Sequence, residues 1–313
     1  THNGGLVSVS SNVVTINPAG TFVSSTGYYL VIPSTFFDDA SSNDYAGFST
    51  KTVLNFTSAD SVAPTLASSS PADNATGVAE GSNIVLTFSE VVDRESGNIT
   101  IKKTSDNSTI EAIAVTDSKI TGTGTNVITI NPTANLASST EFYVLVDSSA
   151  FDDTSSNSYA GISSTTALSF TTSDTVSPTL ASSSPADGST GIAVSSNIIL
   201  NFSEAVDVET GNIVIKRTSN DATIETITHN GGLITGTGTT QITINPAAAL
   251  AELTGYYLTI DSSFFDDTAS NSYAGIVAKT VLNFTTGDAS VPTLTSASPA
   301  DNATGISETA NIV

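Results

Sequence analysis

Apolar and polar residues alternate along much of this chain with a period of two. In Asn83-Ile-Val-Leu-Thr-Phe88, the side chains of Ile84, Leu86 and Phe88 fall on one face and those of Val85 and Thr87 on the other, as in a strand with one side in a core. Ile198, Leu200 and Phe202 repeat the pattern, and similar alternation runs through Asn98 to Lys102, Val127 to Ile130, Phe142 to Val146 and Ala167 to Phe170. Clusters of Pro, Gly, Asn, Asp and Ser separate these segments as turns. No stretch sustains a 3.6-residue period between helix caps. The pattern predicts an all-β fold, a β-sandwich with about seven strands per repeat unit.

The unit repeats. Ser-Pro-Ala-Asp opens at Ser70, Ser184 and Ser298, at intervals of 114 residues, and Asn17-Pro18, Asn131-Pro132 and Asn245-Pro246 keep the same interval. So do the Phe-Asp-Asp triplets at Phe37, Phe151 and Phe265. Copies join at Asp60-Ser-Val-Ala-Pro64, Asp174-Thr-Val-Ser-Pro178 and Asp288-Ala-Ser-Val-Pro292. Proline fixes φ and holds its predecessor extended, so these glycine-free junctions are expected to be semi-rigid. Two whole domains are expected, at 61–174 and 175–288. Residues 1–60 read as the back part of one copy and 289–313 as the opening of another, each needing a missing portion to complete its core. The chain, which starts at Thr1, reads as cut from a longer array.

Composition narrows the chemistry. Cys, Met and Trp are absent from the 313 residues, which removes disulfides, thiolate metal sites and cysteine nucleophiles. Two histidines leave little for triads or zinc centres. Eight bases against 30 acids give a formal charge of -22, which repels phosphate backbones and anionic lipid and favours cations. Nucleic acid is therefore not expected as a partner. Membrane insertion of this segment is not expected either, because no apolar run approaches the ~20 residues of a span. With 13 Phe and 8 Tyr the chain has enough apolar surface to fold. Acidity, few lysines and no thiols point to an extracellular bacterial setting, secreted or on the cell surface.

At Pro178-Thr-Leu, Ser184-Pro-Ala-Asp-Gly-Ser-Thr-Gly191, Asn197-Ile-Ile-Leu-Asn-Phe-Ser-Glu-Ala-Val-Asp207, Gly211-Asn-Ile-Val-Ile, Thr243-Ile-Asn-Pro246 and Phe265-Asp-Asp-Thr-Ala-Ser-Asn-Ser-Tyr-Ala-Gly275, the chain resembles bacterial immunoglobulin-like repeats of S-layer proteins and large repetitive surface adhesins. The resemblance covers the whole chain. It implies tandem immunoglobulin-like sandwiches that serve mainly as spacers and occasionally as binding units.

Acidic residues recur at three places in each copy: the junction aspartate, the Ser-Glu loop and the Asp-Asp pair. In an immunoglobulin-like sandwich the loops after the second strand and before the last lie at the pole where the chain arrives. Asp60, Glu90, Asp93, Asp152 and Asp153 are therefore expected to form one cluster, with Asn157 adding a carbonyl oxygen. Asp174, Glu204, Asp207, Asp266, Asp267 and Asn271 form the next. Carboxylates packed this closely must protonate, stay solvated or recruit a cation. Ca2+, with its many oxygen ligands in flexible geometry, is the expected structural ion.

Other motifs point to structure. The Asp-Asp pairs lack a substrate platform, so no enzyme activity is expected. His2 and His229 read as turn residues in His-Asn-Gly-Gly. Thr121-Gly-Thr-Gly-Thr125 and Thr235-Gly-Thr-Gly-Thr239 lead into strands, unlike a phosphate loop. Tyr45, Tyr159 and Tyr273 read as packing residues. The expected role is that of stalk repeats in a large adhesin, rigidified by calcium at the junctions, with neighbouring repeats of the same chain as partners. One alternative is a self-assembling subunit of a filament, sheath or S-layer, in which identical chains complete one another by strand addition. Another is a carbohydrate-binding accessory module.

Overall fold

Ile84, Leu86 and Phe88 are fully buried and the residues between them are half-exposed, so the two-residue period becomes a strand with one face in a core. The computed structural model describes residues 5–313 and divides into two units, 1–173 and 174–313. Strands make up all the regular structure among the described residues, and no helix there is long and apolar enough to cross a membrane.

The first unit opens with two small antiparallel pairs. One joins β1 (Val7–Ser10) to β2 (Val13–Ile16), the other β3 (Gly27–Tyr29) to β4 (Asn55–Thr57). A complete sandwich follows, made of β5 (Leu66–Ser70), β6 (Ala75–Val78), β7 (Ile84–Arg94), β8 (Asn98–Lys103), β9 (Thr109–Ala114), β10 (Ile120–Thr121), β11 (Thr125–Ile130), β12 (Glu141–Val146), β13 (Phe151–Asp152) and β14 (Ser169–Thr172). One sheet runs β10-β11-β7-β13, with β5 also on β7; the other runs β6-β14-β12-β8-β9. β10 and β13 are two-residue segments, so the longer strands come close to the expected seven.

The second unit repeats this arrangement. β15 (Leu180–Ser184), β17 (Ile198–Val208), β20 (Ile234–Thr235), β21 (Thr239–Ile244) and β23 (Phe265–Asp266) form one sheet. β16 (Ser189–Ile192), β18 (Asn212–Arg217), β19 (Thr223–Thr228), β22 (Gly255–Ile260) and β24 (Asn283–Thr286) form the other.

Each sandwich holds its own core, drawn from the inward faces of both sheets: Leu86 and Ile128 meet Ile101, Val144 and Phe170 in the first. Fully burying one such side chain stabilises by about 1.5–3 kcal/mol, and this non-local burial holds the sheets together. One equivalent core position differs in size. Ala150 fills it in the first sandwich and Phe264, edge-on to Phe265 at 4.8 Å, in the second. The cross-strand neighbour of the adjoining phenylalanine changes with it. Phe151 pairs with Arg94, whose guanidinium donates to the carbonyls of Asp117 and Ile120, whereas Phe265 pairs with Val208, packed on the core.

Candidate metal centre

Glu90 lies in an irregular stretch of β7. Opposite β11 the register steps from Thr87↔Val127 to Val92↔Thr125, so β7 carries a bulge between Thr87 and Val92, a device that re-aims side chains. Ser89, one residue earlier, fastens the stretch to the incoming chain. Its backbone N–H donates to the Thr65 carbonyl at 2.9 Å, and its Oγ accepts from the Thr65 N–H at 3.0 Å. Ser203 and Thr179 repeat this clasp beside Glu204, within the same kind of register step between Asn201 and Val206.

Asp153 follows β13 and builds its own turn. Its Oδ1 accepts the backbone N–H groups of Ser155 and Asn157, and its Oδ2 accepts the Asn157 side-chain amide, all at 2.8 Å. Asp267 makes the same three bonds to Ala269 and Asn271. Both aspartates are only 5% exposed. Asp39, in the piece before the first sandwich, closes the same turn on Ser41 and Asn43.

These elements bring three carboxylates together in each sandwich. Ligand oxygens of Asp60, Glu90 and Asp153 lie within 4.8 Å of one another, as do those of Asp174, Glu204 and Asp267. Asp60 is held by the Ser24 hydroxyl at 2.8 Å and the Val62 N–H at 3.0 Å. In the second unit the Asn271 amide also donates to the Asp174 carbonyl at 3.3 Å, tying the incoming chain to the turn.

The ionisation of the group is uneven. Burial, then the charges of Asp153 and Asp60, push the Glu90 carboxyl above its ordinary value; Glu204 is raised by burial and by Asp267 and Asp174. Burial works to raise Asp153 as well, but the hydrogen bonds from Asn157 and Ser155 outweigh it and hold the carboxyl low. Asp60 is lowered by the Val62 N–H and the Ser24 hydroxyl. Two ion pairs, Lys119–Glu111 and Lys279–Asp221, lie apart from these clusters. Three acidic oxygen donors of mixed exposure, converging within 4.8 Å, have the hard-ligand chemistry that a divalent cation such as Ca2+ takes, with water able to complete its shell.

The other expected ligands are placed differently. Asp93 and Asp152 face each other across β7 and β13 and lie outside the close group, as do Asp207 and Asp266. Asp152 is the last residue of β13 and Asp153 lies beyond it at the head of the turn, so the two carboxylates are held by different local structures, and only Asp153 joins the group. Asp93 instead accepts from the Thr123 hydroxyl at 3.3 Å and Asp207 from Thr237 at 3.2 Å, while Asp266 Oδ1 is buried without a hydrogen-bond partner. Asn157 and Asn271 act as donors that orient the aspartates. The Ser24 contact and the serine clasps were not anticipated from sequence, although Ser89 and Ser203 stand directly before the glutamates.

The remaining motifs have structural duties. Gly122 and Gly236 take positive φ in the Thr-Gly-Thr-Gly turns, where a Cβ would meet the carbonyls of Val127 and Gln241. Tyr159 is buried, edge-on to Phe88 with ring centres 5.1 Å apart, and Tyr273 does the same against Phe202 at 5.2 Å. Asp73 of Ser-Pro-Ala-Asp accepts the Ser169 N–H at 2.9 Å, anchoring the start of β14, and Asp187 holds Asn283 likewise. His229 lies in a turn; His2 is outside the described residues.

Comparison with known proteins follows the fold. The profile of the bacterial Ig-like domain matches twice, at 60–172 and 174–286. Among solved structures, the FN1-FN3 domains of chicken CNTN1 align over 90% of this chain and 84% of theirs, at 10% identity and a TM-score of 0.26. The S-layer protein rSbsC aligns over 69% of this chain and 34% of its own, at 11% identity and a TM-score of 0.25. No curated protein gives a significant match. Bacterial Ig-like domains are non-catalytic structural modules that occur in bacterial surface proteins. With two tandem matches spanning most of its length and a complete sandwich under each, this chain belongs to the bacterial Ig-like domain family.

Proposed function

We propose that the chain supplies extracellular spacer repeats of a large bacterial adhesin, and that calcium pins the incoming segment of each repeat to the loops of its own sandwich. The observation that supports this is the trio itself, formed twice from the same three positions: an aspartate just before the first strand, a glutamate on the bulged strand and an aspartate at the head of a turn. Removing the electrostatic repulsion among them would stabilise the junctional segment and restrict its swing. Extracellular modules bind Ca2+ with dissociation constants of about 10⁻⁴ to 10⁻³ M. At tenfold excess over such a constant, each site adds roughly 1.4 kcal/mol. The repeats carry out no chemistry of their own in this reading; their work is mechanical.

Calorimetric melting of the chain, first with millimolar Ca2+ and then with excess chelator, tests the proposal. The expected result is a reversible rise in both sandwich transitions that disappears in a variant carrying Glu90→Gln and Glu204→Gln. Unchanged transitions would remove calcium from the reading and leave the spacer role standing.

A further inference from the structure

The turn between β19 and β20 sets an asparagine before a glycine. Asn230-Gly231 is one of two such pairs in the chain; the other, Asn3-Gly4, lies outside the described residues. The same stretch of the first sandwich reads Val115-Thr116-Asp117 and carries no such pair. Asn230 and Gly231 are both exposed.

The local geometry favours attack by the backbone on the side chain. The Thr228 hydroxyl donates to Asn230 Oδ1 at 3.2 Å, so a donor already stands where negative charge would collect. The Asn230 amide nitrogen, the group that would leave, has no hydrogen-bond partner among the described residues. Gly231 puts no Cβ beside its own nitrogen; one built there would lie 3.2 Å from Thr228 Oγ1 and 3.3 Å from the Thr228 carbonyl oxygen. The Gly231 N–H donates to that carbonyl at 3.1 Å, and this bond has to open before the nitrogen can turn on the side chain. Exposed turns open at little cost in free energy. Asn157 and Asn271, each followed by serine, are held the opposite way. Their amide nitrogens donate to Asp153 and Asp267 at 2.8 Å, and their backbone N–H groups are fastened to the same carboxylates.

We propose that Asn230 is a self-modification site, converted by its own backbone to aspartate and isoaspartate, with Thr228 as the hydrogen-bond donor to the reacting carbonyl. This goes beyond the calcium reading and does not depend on it. The Gly231 nitrogen gives its proton to hydroxide and bonds to Asn230 Cγ, while the carbonyl electron pair moves onto Oδ1 under the Thr228 hydroxyl. The pair then returns, the Cγ–Nδ2 bond breaks, and the nitrogen takes a proton from water and leaves as ammonia. Water opens the resulting five-membered succinimide at either carbonyl. The sum is one water consumed and one ammonia released, with no oxidant or reductant. Nucleophile and electrophile belong to adjoining residues, so no encounter is needed. Each conversion adds one negative charge to a chain at -22. The isoaspartate route also lengthens the backbone by one methylene, at an exposed turn where such change is tolerated.

The test incubates the full chain in mildly alkaline buffer and follows each asparagine by peptide mass spectrometry, with enzymatic methylation of isoaspartate as a second readout. Conversion at Asn230 should run at least about tenfold faster than at Asn157 or Asn271, whose amides sit in charge-assisted hydrogen bonds. Gly231→Ala should slow it by at least about tenfold, because the backbone freedom of glycine lets the nitrogen reach Cγ. Thr228→Val should slow it by at least about twofold in the folded chain, and Thr228→Ser should restore it. In urea the parent and Thr228→Val should react alike, since only the fold places the hydroxyl on Oδ1. A rate at Asn230 no higher than at Asn157 and Asn271 would overturn the proposal. So would a rate unmoved by Gly231→Ala, or equal rates for the folded parent and Thr228→Val.

Discussion

Asn157 donates both its backbone N–H and its side-chain amide to the carboxylate of Asp153, each at 2.8 Å. The pair opposes the rise that burial gives this carboxyl and helps to hold it below its ordinary value, beside Glu90 and Asp60. Replacing Asn157 with Ala removes one hydrogen bond to a charged group, worth about 1.5–3 kcal/mol. Urea unfolding in chelator should show that loss in the first sandwich, and Ca2+ titration should show weakened binding at its site.

The glutamates set a distinctive pH response. The carboxyls of Glu90 and Glu204 sit above their ordinary 4.5, so the folded protein holds these protons more tightly than the unfolded chain. Their contribution is fully present below 4.5 and is lost as pH rises through the folded value. Asp60 and Asp153, held below 3.8, act oppositely: their contribution is present above 3.8 and lost as pH falls through the folded value. In chelator at neutral pH, the Glu90→Gln, Glu204→Gln variant should therefore melt higher than the parent, by about 4 °C for each ~1 kcal/mol relieved in domains of this size. The gap should close as pH approaches 4.5.

Asp152 distinguishes the trio from the wider acidic cluster. Asp152→Asn leaves Asp60, Glu90 and Asp153 in place, so Ca2+ affinity at the first site should stay within about twofold, whereas Asp153→Asn should weaken it by more than about tenfold. Isothermal titration of the two variants makes the comparison. Equal losses would show that the larger cluster acts as one.

Tyr159 should behave as a core ring. Tyr159→Phe keeps the edge-on contact with Phe88 and should change stability by less than about 1.5 kcal/mol. Tyr159→Ala should cost about 3–5 kcal/mol, as for other large rings cut from a core. Denaturant midpoints measure both.

Gly161 takes positive φ, and a Cβ there would run into the Val146 carbonyl. Gly161→Ala should cost about 1–3 kcal/mol, visible as a lowered melting temperature of the first sandwich only.

The fold was legible because alternation is a local signal: Ile84, Leu86 and Phe88 announce a strand without reference to any partner. The repeat interval then marked equivalent positions in each copy. The candidate site was legible in outline, since the junction aspartate, the glutamate and the second aspartate of the pair are the residues brought together. Two things were hidden. The direction of Asp93 and Asp152 depends on strand register, which no single segment encodes, and the bulge that places Glu90 arises from pairing between β7 and β11. The serine that holds Asp60 sits 36 residues away, and its type is too common in this chain to stand out.

The turn headed by Asp153 bears on the order in which the proposed calcium site would be assembled. The same hydrogen bonds form around Asp39, in a piece where no five-stranded sheet is assembled, so the turn does not depend on one. In the calcium reading, one arm of each site belongs to a local turn, Asp153 to Asn157 in the first sandwich, while the other two, Asp60 and Glu90, come from stretches distant along the polypeptide. Ion uptake would then report, repeat by repeat, which sandwiches have finished folding.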